Sequence, residues 1–149
     1  MTDPASLLKP GAWAARAETV EAMARLVHAR LLIALLPFGR WRHRLGAPVT
    51  DPTRRCPVPA EARRLARVID RGTMRLPLHL KCLPRAMALQ AMLRRRGCES
   101  QLVIAVLPGS LRGGIDDLHA WVELGGEILI GASEEPYRVL LRLQRSESQ

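Results

Sequence analysis

The three cysteines and four histidines of this chain are the residues best able to do nucleophilic or metal chemistry. Cys82 stands out by position. Cys82-Leu83-Pro84 opens a run of good helix formers ending at Gly97, and proline suits a helix's first turn, where its missing N–H costs nothing. Cys82, Ala86, Leu89 and Leu93 recur four, three and four apart, so the cysteine shares the apolar face of this helix. Unpaired N–H groups at a helix start carry partial positive charge that favours a thiolate, and Lys81 adds charge of the same sign. Most cysteines on an apolar face are simply small buried hydrophobes. What sets Cys82 apart is a histidine downstream.

His119 lies in Leu-His-Ala-Trp-Val-Glu-Leu, residues 118–124, which reads as a strand with His119, Trp121 and Glu123 on one face. A helix-opening cysteine followed by a strand histidine is the order of papain-type catalysis. There the imidazole takes the thiol proton and later protonates the leaving amine. A third group normally orients the ring. With Gly125-Gly126 as a two-residue turn, Leu124 pairs with Glu127, Glu123 with Ile128, Trp121 with Ile130 and His119 with Ala132. Alanine therefore fills the slot best suited to an acid. Glu134, two residues on and on the same face, is the expected substitute, with Glu135 and Asp117 as alternatives; one bulge would change the register. The Cys82 N–H is the natural oxyanion donor.

The elements around these residues read as α+β. A first helix is expected from Trp13 to Leu36, stopped by Pro37 and Gly39, and a second from Pro59 to Asp70 with Leu65, Val68 and Ile69 inward. Between them lie the basic knot Arg40-Trp41-Arg42-His43-Arg44 and a loop over 46–58 rich in proline. Gln101–Leu107 is an expected strand, 110–117 a glycine-rich loop, and 118–124 with 127–132 a hairpin. Helices followed by an antiparallel sheet imply one α+β domain over 1–149, with a helical N-terminal extension (1–55) and a catalytic core (76–145).

The 149 residues carry 23 bases against 14 acids, a net charge of +9, so an acidic partner is favoured. Trp41 between arginines could stack on a base, but one aromatic gives thin support for nucleic acid, and none is expected as partner. Three cysteines without a CxxC pair suggest neither a disulfide framework nor zinc, and His28, His43 and His79 lack ligand spacing; no cofactor or metal is expected. Cys56 and Cys98 read as bystanders, and His79 as structural. The apolar run Leu31–Phe38 is about eight residues against the ~20 that span a bilayer, and no secretory signal is evident, so a cytoplasmic location is expected.

Cys82-Leu83-Pro84-Arg85-Ala86-Met87-Ala88-Leu89, Leu93-Arg94-Arg95-Arg96-Gly97 and His119-Ala120-Trp121-Val122-Glu123 together resemble the lasso-peptide biosynthesis B proteins. These are transglutaminase-like cysteine peptidases that remove the leader of a lasso precursor. Ala29–Leu32 and Leu36–Arg42 also resemble that family's N-terminal helix and its basic end, so the likeness spans most of 20–145. The resemblance implies a papain/transglutaminase-like fold and a Cys–His–Asp triad in which Cys82 and His119 match. The acid does not match, since the segment here is Ile130-Gly131-Ala132-Ser133-Glu134-Glu135. It further implies four partners: the precursor leader, a separate leader-recognition protein, an ATP-dependent macrolactam cyclase, and an exporter at the membrane. A silent adaptor binding precursor and cyclase is the alternative.

Overall fold

A computed structural model describes residues 10–109 and 117–145. Helix α1 spans Pro10–Leu35, α2 Phe38–Trp41, followed by a 3-10 turn over Arg42–Leu45, then strand β1 Ala47–Val49, α3 Ala60–Arg75 and α4 Cys82–Arg95. Strands β2 Gln101–Val106, β3 Leu118–Leu124, β4 Glu127–Ile130 and β5 Arg138–Gln144 complete the chain. The strands form one antiparallel sheet in the order β1-β5-β2-β3-β4. This is the expected α+β architecture, with a larger sheet than the sequence suggested.

The helices form where propensity and stop signals place them. α3 runs to Arg75, five residues past its expected end, with Gly72 accommodated inside it; it stops before Pro77, because the residue preceding a proline disfavours helix, and Leu76 is extended. Its Leu65, Val68 and Ile69 are buried as expected. Gly72 lets α1 come close, since a Cβ there would lie 3.3 Å from Leu26 Cδ1. α4 ends in a Schellman cap: Gly97 has φ 69°, its N–H bonds Arg94 O at 3.0 Å, and the Cys98 N–H bonds Leu93 O at 3.0 Å.

Trp41, at the centre of the exposed basic knot, belongs to the core, which corrects the notion of it as a base-stacking platform. Its indole is 3% exposed, donates from Nε1 to Leu36 O at 3.1 Å and packs edge-on against Phe38. Two strands fall where none was expected. β1 lies inside the 46–58 loop and tolerates Pro48 because it is an edge strand. β5 pairs with both β1 and β2.

The sheet has two dissimilar faces. Leu102, Ala120, Val122, Leu124 and Leu143 join Leu89, Met92 and Leu93 of α4 in the main core. The opposite face carries a smaller cluster of Val103, Ala105 and Trp121, with Tyr137 packed on it. Beside that cluster Glu123 receives Trp121 Nε1 at 2.7 Å and pairs with Arg142 at 2.7 Å, and Arg142 also reaches Gln101 Oε1 at 3.3 Å.

The Gly125-Gly126 turn forms as expected, with φ of 62° and 84°, and Leu124 and Glu123 meet Glu127 and Ile128. The register then slips. A bulge puts Val122, not Trp121, opposite Ile130, and β4 ends there, so the expected His119–Ala132 pair does not form. The expected 110–117 loop lies outside the described residues except for Asp117.

Candidate active site

Cys82 is the first residue of α4, preceded by Lys81 in extended conformation as N-cap. It lies half-buried at the end of the helix stripe formed by Ala86, Leu89 and Leu93, all of them fully buried. Its Sγ lies 4.0 Å from the carbonyl oxygen of Leu118, a weak S–H···O contact. Leu118 is the first residue of β3 and the residue immediately before His119. The helix start and the strand start thus meet at one end of the sheet.

His119 belongs to the sheet face turned away from the helices, as its partnership with Ala105 requires. Cys82 thus touches the backbone one residue before His119, while the imidazole lies on the other face of the sheet. Among the described residues no hydrogen bond joins thiol to imidazole; each contacts a different backbone oxygen.

The imidazole is held by two contacts absent from the sequence-based expectations. Its Nε2 lies 2.6 Å from the carbonyl oxygen of Gly131, and its ring stacks on Tyr137 with centroids 4.8 Å apart and planes at 25°. A carbonyl oxygen can only accept, so Nε2 carries the hydrogen, and in the neutral ring Nδ1 keeps its lone pair. That is the tautomer a general base needs if the thiol arrives at Nδ1.

The bulge creates this arrangement. Gly131 adopts φ 83°, and a Cβ there would fall 2.7 Å from Ala120 O and 3.0 Å from Trp121 Cβ. Only glycine lets the chain leave β4 that closely against β3. Glu134 and Glu135 follow in the exposed segment between β4 and β5; the Glu135 N–H bonds Ser133 Oγ at 3.3 Å. Asp117 closes the start of the strand pair by accepting the Leu107 N–H at 3.0 Å on its backbone oxygen. No hydrogen bond from Glu134 or Glu135 to His119 is formed among the described residues.

The remaining candidates form no hydrogen bond with Cys82 or His119 among the described residues. His79 is exposed, three residues before Cys82. Cys56 is exposed, with its backbone N–H 3.4 Å from Gly125 O at the far hairpin turn. Cys98 follows the α4 cap, and burial together with Glu61 pushes its thiol upward against the smaller opposing effect of Arg96. Gly131 and Tyr137 were missed, although a glycine near the end of a strand pattern is itself a signal of a bulge or close backbone approach.

The arrangement can support acyl transfer. Proton transfer from Cys82 Sγ to His119 Nδ1 would give a nucleophilic thiolate, and Cys82, as the first residue of α4, stands at a helix start whose N–H groups have no partner within the helix.

Comparison with known proteins agrees with this architecture. The family model of the transglutaminase-like superfamily matches residues 23–142. No curated protein and no solved structure matches the chain.

Proposed function

The chain belongs to the transglutaminase-like superfamily, and from that premise we propose that it is a cysteine peptidase removing the leader segment of a lasso-peptide precursor. The observation carrying this reading is the Cys82 thiol at the first residue of α4, 4.0 Å from the backbone oxygen that precedes His119. Transfer of the thiol proton to Nδ1 lets the sulfur attack the peptide carbonyl. The C–N bond breaks as the imidazolium returns the proton to the leaving amine, leaving a thioester. Water, deprotonated by the same imidazole, then attacks the thioester; the C–S bond breaks and the thiol is restored. The Gly131 carbonyl is the orienting group in this scheme, in the role expected of Glu134, and Tyr137 limits ring rotation. The geometry suits hydrolysis and aminolysis alike; the sequence resemblance favours hydrolysis.

The partners in this reading are the precursor leader, a separate recognition protein that delivers it, the macrolactam cyclase that uses the freed amine, and an exporter. Among the described residues no helix is long and apolar enough to cross a membrane. A second reading, a silent adaptor for precursor and cyclase, is favoured by the absence of a thiol–imidazole hydrogen bond among the described contacts. Incubating the chain and a recognition protein with precursor, and reading product masses, separates the two. Cys82→Ala and His119→Ala should each abolish cleavage with unchanged circular dichroism; undiminished cleavage in either variant refutes the peptidase.

A further inference from the structure

Some arginines meet carboxylates and many others, on the surface, do not. At the C-terminal end of α4, Arg95 and Arg96 reach Glu21 at 3.2 and 3.1 Å, and Arg96 also reaches Glu61 at 3.4 Å. Arg63, Arg64, Arg85 and Arg142 likewise meet carboxylates. Arg25, Arg44, Arg94 and Arg145 meet none among the described residues. All four instead line one cavity of about 410 Å3, bounded by α1, the 3-10 turn, α4 and the segment after β5.

Arg44, Arg94 and Arg145 are exposed and Arg25 half-buried, so water screens their mutual repulsion in part, and four positive charges around one space attract an anion that enters it. Burial, Arg145 and Arg25, in that order, depress the Arg94 guanidinium. Glu99 is the one carboxylate on the described lining and cannot neutralise four cations. His28 and His43 add imidazole N–H donors, and Arg145 spends one of its own on Arg44 O at 3.5 Å.

A hydroxyl adds to the donors on this lining. Ser100 lines the same cavity, is 5% exposed, and its hydroxyl has no hydrogen-bond partner among the described residues. The hydroxyl oxygen itself is not sealed from solvent, so water can serve it in the free protein, and a ligand oxygen in the cavity could take that water's place. Ala29, Leu32 and Met87 supply apolar wall, so the space suits a small molecule with a compact body as well as its charges.

We propose that this cavity binds a small phosphorylated molecule, its phosphate groups held by Arg25, Arg94, Arg44 and Arg145 and by the Ser100 hydroxyl. Phosphate fits better than carboxylate because it brings up to two charges and three acceptor oxygens, matching several guanidinium forks at once. The site is separate from the thiol: twelve residues of helix, about 18 Å at ~1.5 Å rise per residue, lie between Cys82 and Arg94. The peptidase reading can fail without affecting this site.

The test uses inorganic pyrophosphate and the full chain, by titration calorimetry at fixed ionic strength. Expected is saturable one-to-one binding, weakened at least tenfold by R94A/R145A and severalfold by Ser100→Ala, and unchanged by R54A/R55A on the exposed 51–58 loop. Equal weakening by the two double variants, or no saturation, overturns the proposal. So does binding of an acidic hexaglutamate peptide with no binding of pyrophosphate. A measurement on unaltered protein guards against misfolding of the variants. Cys98 lines the cavity whereas Cys56 does not, so pyrophosphate should slow alkylation of Cys98 and leave Cys56 unaffected; failure to protect Cys98 also overturns it.

Discussion

Replacing Gly131 by alanine tests the orienting role of its carbonyl. The residue has φ 83°, where an L side chain costs about 1–2 kcal/mol. The added Cβ would also sit 2.7 Å from Ala120 O, a backbone atom that cannot swing aside. Relief requires the chain after β4 to move out by several tenths of an ångström, so the total cost is about 2–3 kcal/mol. For a domain of this size that lowers the melting temperature by roughly 5–10 °C. The same movement lengthens the 2.6 Å contact between Gly131 O and His119 Nε2. A misplaced base of this kind costs on the order of a hundredfold in rate. Thermal unfolding and cleavage of a lasso precursor measure the two effects, and 15N-labelled histidine reports the tautomer. Wild type should hold His119 as the Nε2–H form at a pH where the ring is neutral, and Gly131→Ala should show a mixture. In the same assay Glu134→Gln and Glu135→Gln should remain within threefold of wild type. An Nδ1–H tautomer in wild type, or a tenfold loss in Glu134→Gln, would refute the carbonyl as orienter.

Two further outcomes follow from contacts beside the site. Glu123→Ala leaves Arg142, whose side chain is 15% exposed, without its counter-charge and Trp121 without its acceptor. Removing one partner of a largely buried pair costs about 3–5 kcal/mol, so the melting point should fall by roughly 10 °C, and E123L/R142M should recover much of it. The Cys98 thiol is pushed up by burial and by Glu61, so less of it is thiolate near neutral pH. Its alkylation should therefore lag behind that of Cys56 and rise more steeply through alkaline pH. Glu61→Gln should shift the Cys98 profile to lower pH, Arg96→Ala to higher, as peptide mapping after iodoacetamide would reveal.

The helical half was legible because its signals are local. Cys82-Leu83-Pro84 marks the start of α4, and Gly97, where the helix-forming run was expected to end, closes it with a left-handed cap. Leu65, Val68 and Ile69 announce the buried face of α3 by spacing alone. The sheet was less legible. β5 shows no clean alternation, because Val139 and Leu140 are consecutive and both exposed, and a register shift between Ile104 and Ala105 breaks its pairing with β2. β1 is three residues long with a proline in the middle, which reads as loop unless the neighbouring strand is known. Trp41 shows the opposite failure: arginines on both sides suggested a surface residue, yet α2 is short enough to turn the indole inward while the guanidines stay outside.

The group that meets the His119 ring nitrogen was illegible for a different reason. A search for an orienting acid considers side chains, and the hairpin count from Gly125-Gly126 is correct for its first two pairs. One extra residue at the bulge then moves every later residue of β4 by one place and brings a main-chain oxygen to the imidazole. Because any residue carries that oxygen, composition contains no trace of it; the trace lies in the glycine whose positive φ permits the approach. A neutral acceptor also acts differently from a carboxylate. It fixes which nitrogen bears the hydrogen, yet gives an imidazolium less electrostatic support than an anion would. If Gly131 is the orienter, the thiol–imidazole pair should form its charge-separated state chiefly when substrate excludes water and the α4 N-terminus faces a developing oxyanion. Alkylation of Cys82 by a small neutral reagent should then be slow in the free protein. An uncharged peptide aldehyde carrying the residues before the cleavage site should still capture the same sulfur as a hemithioacetal.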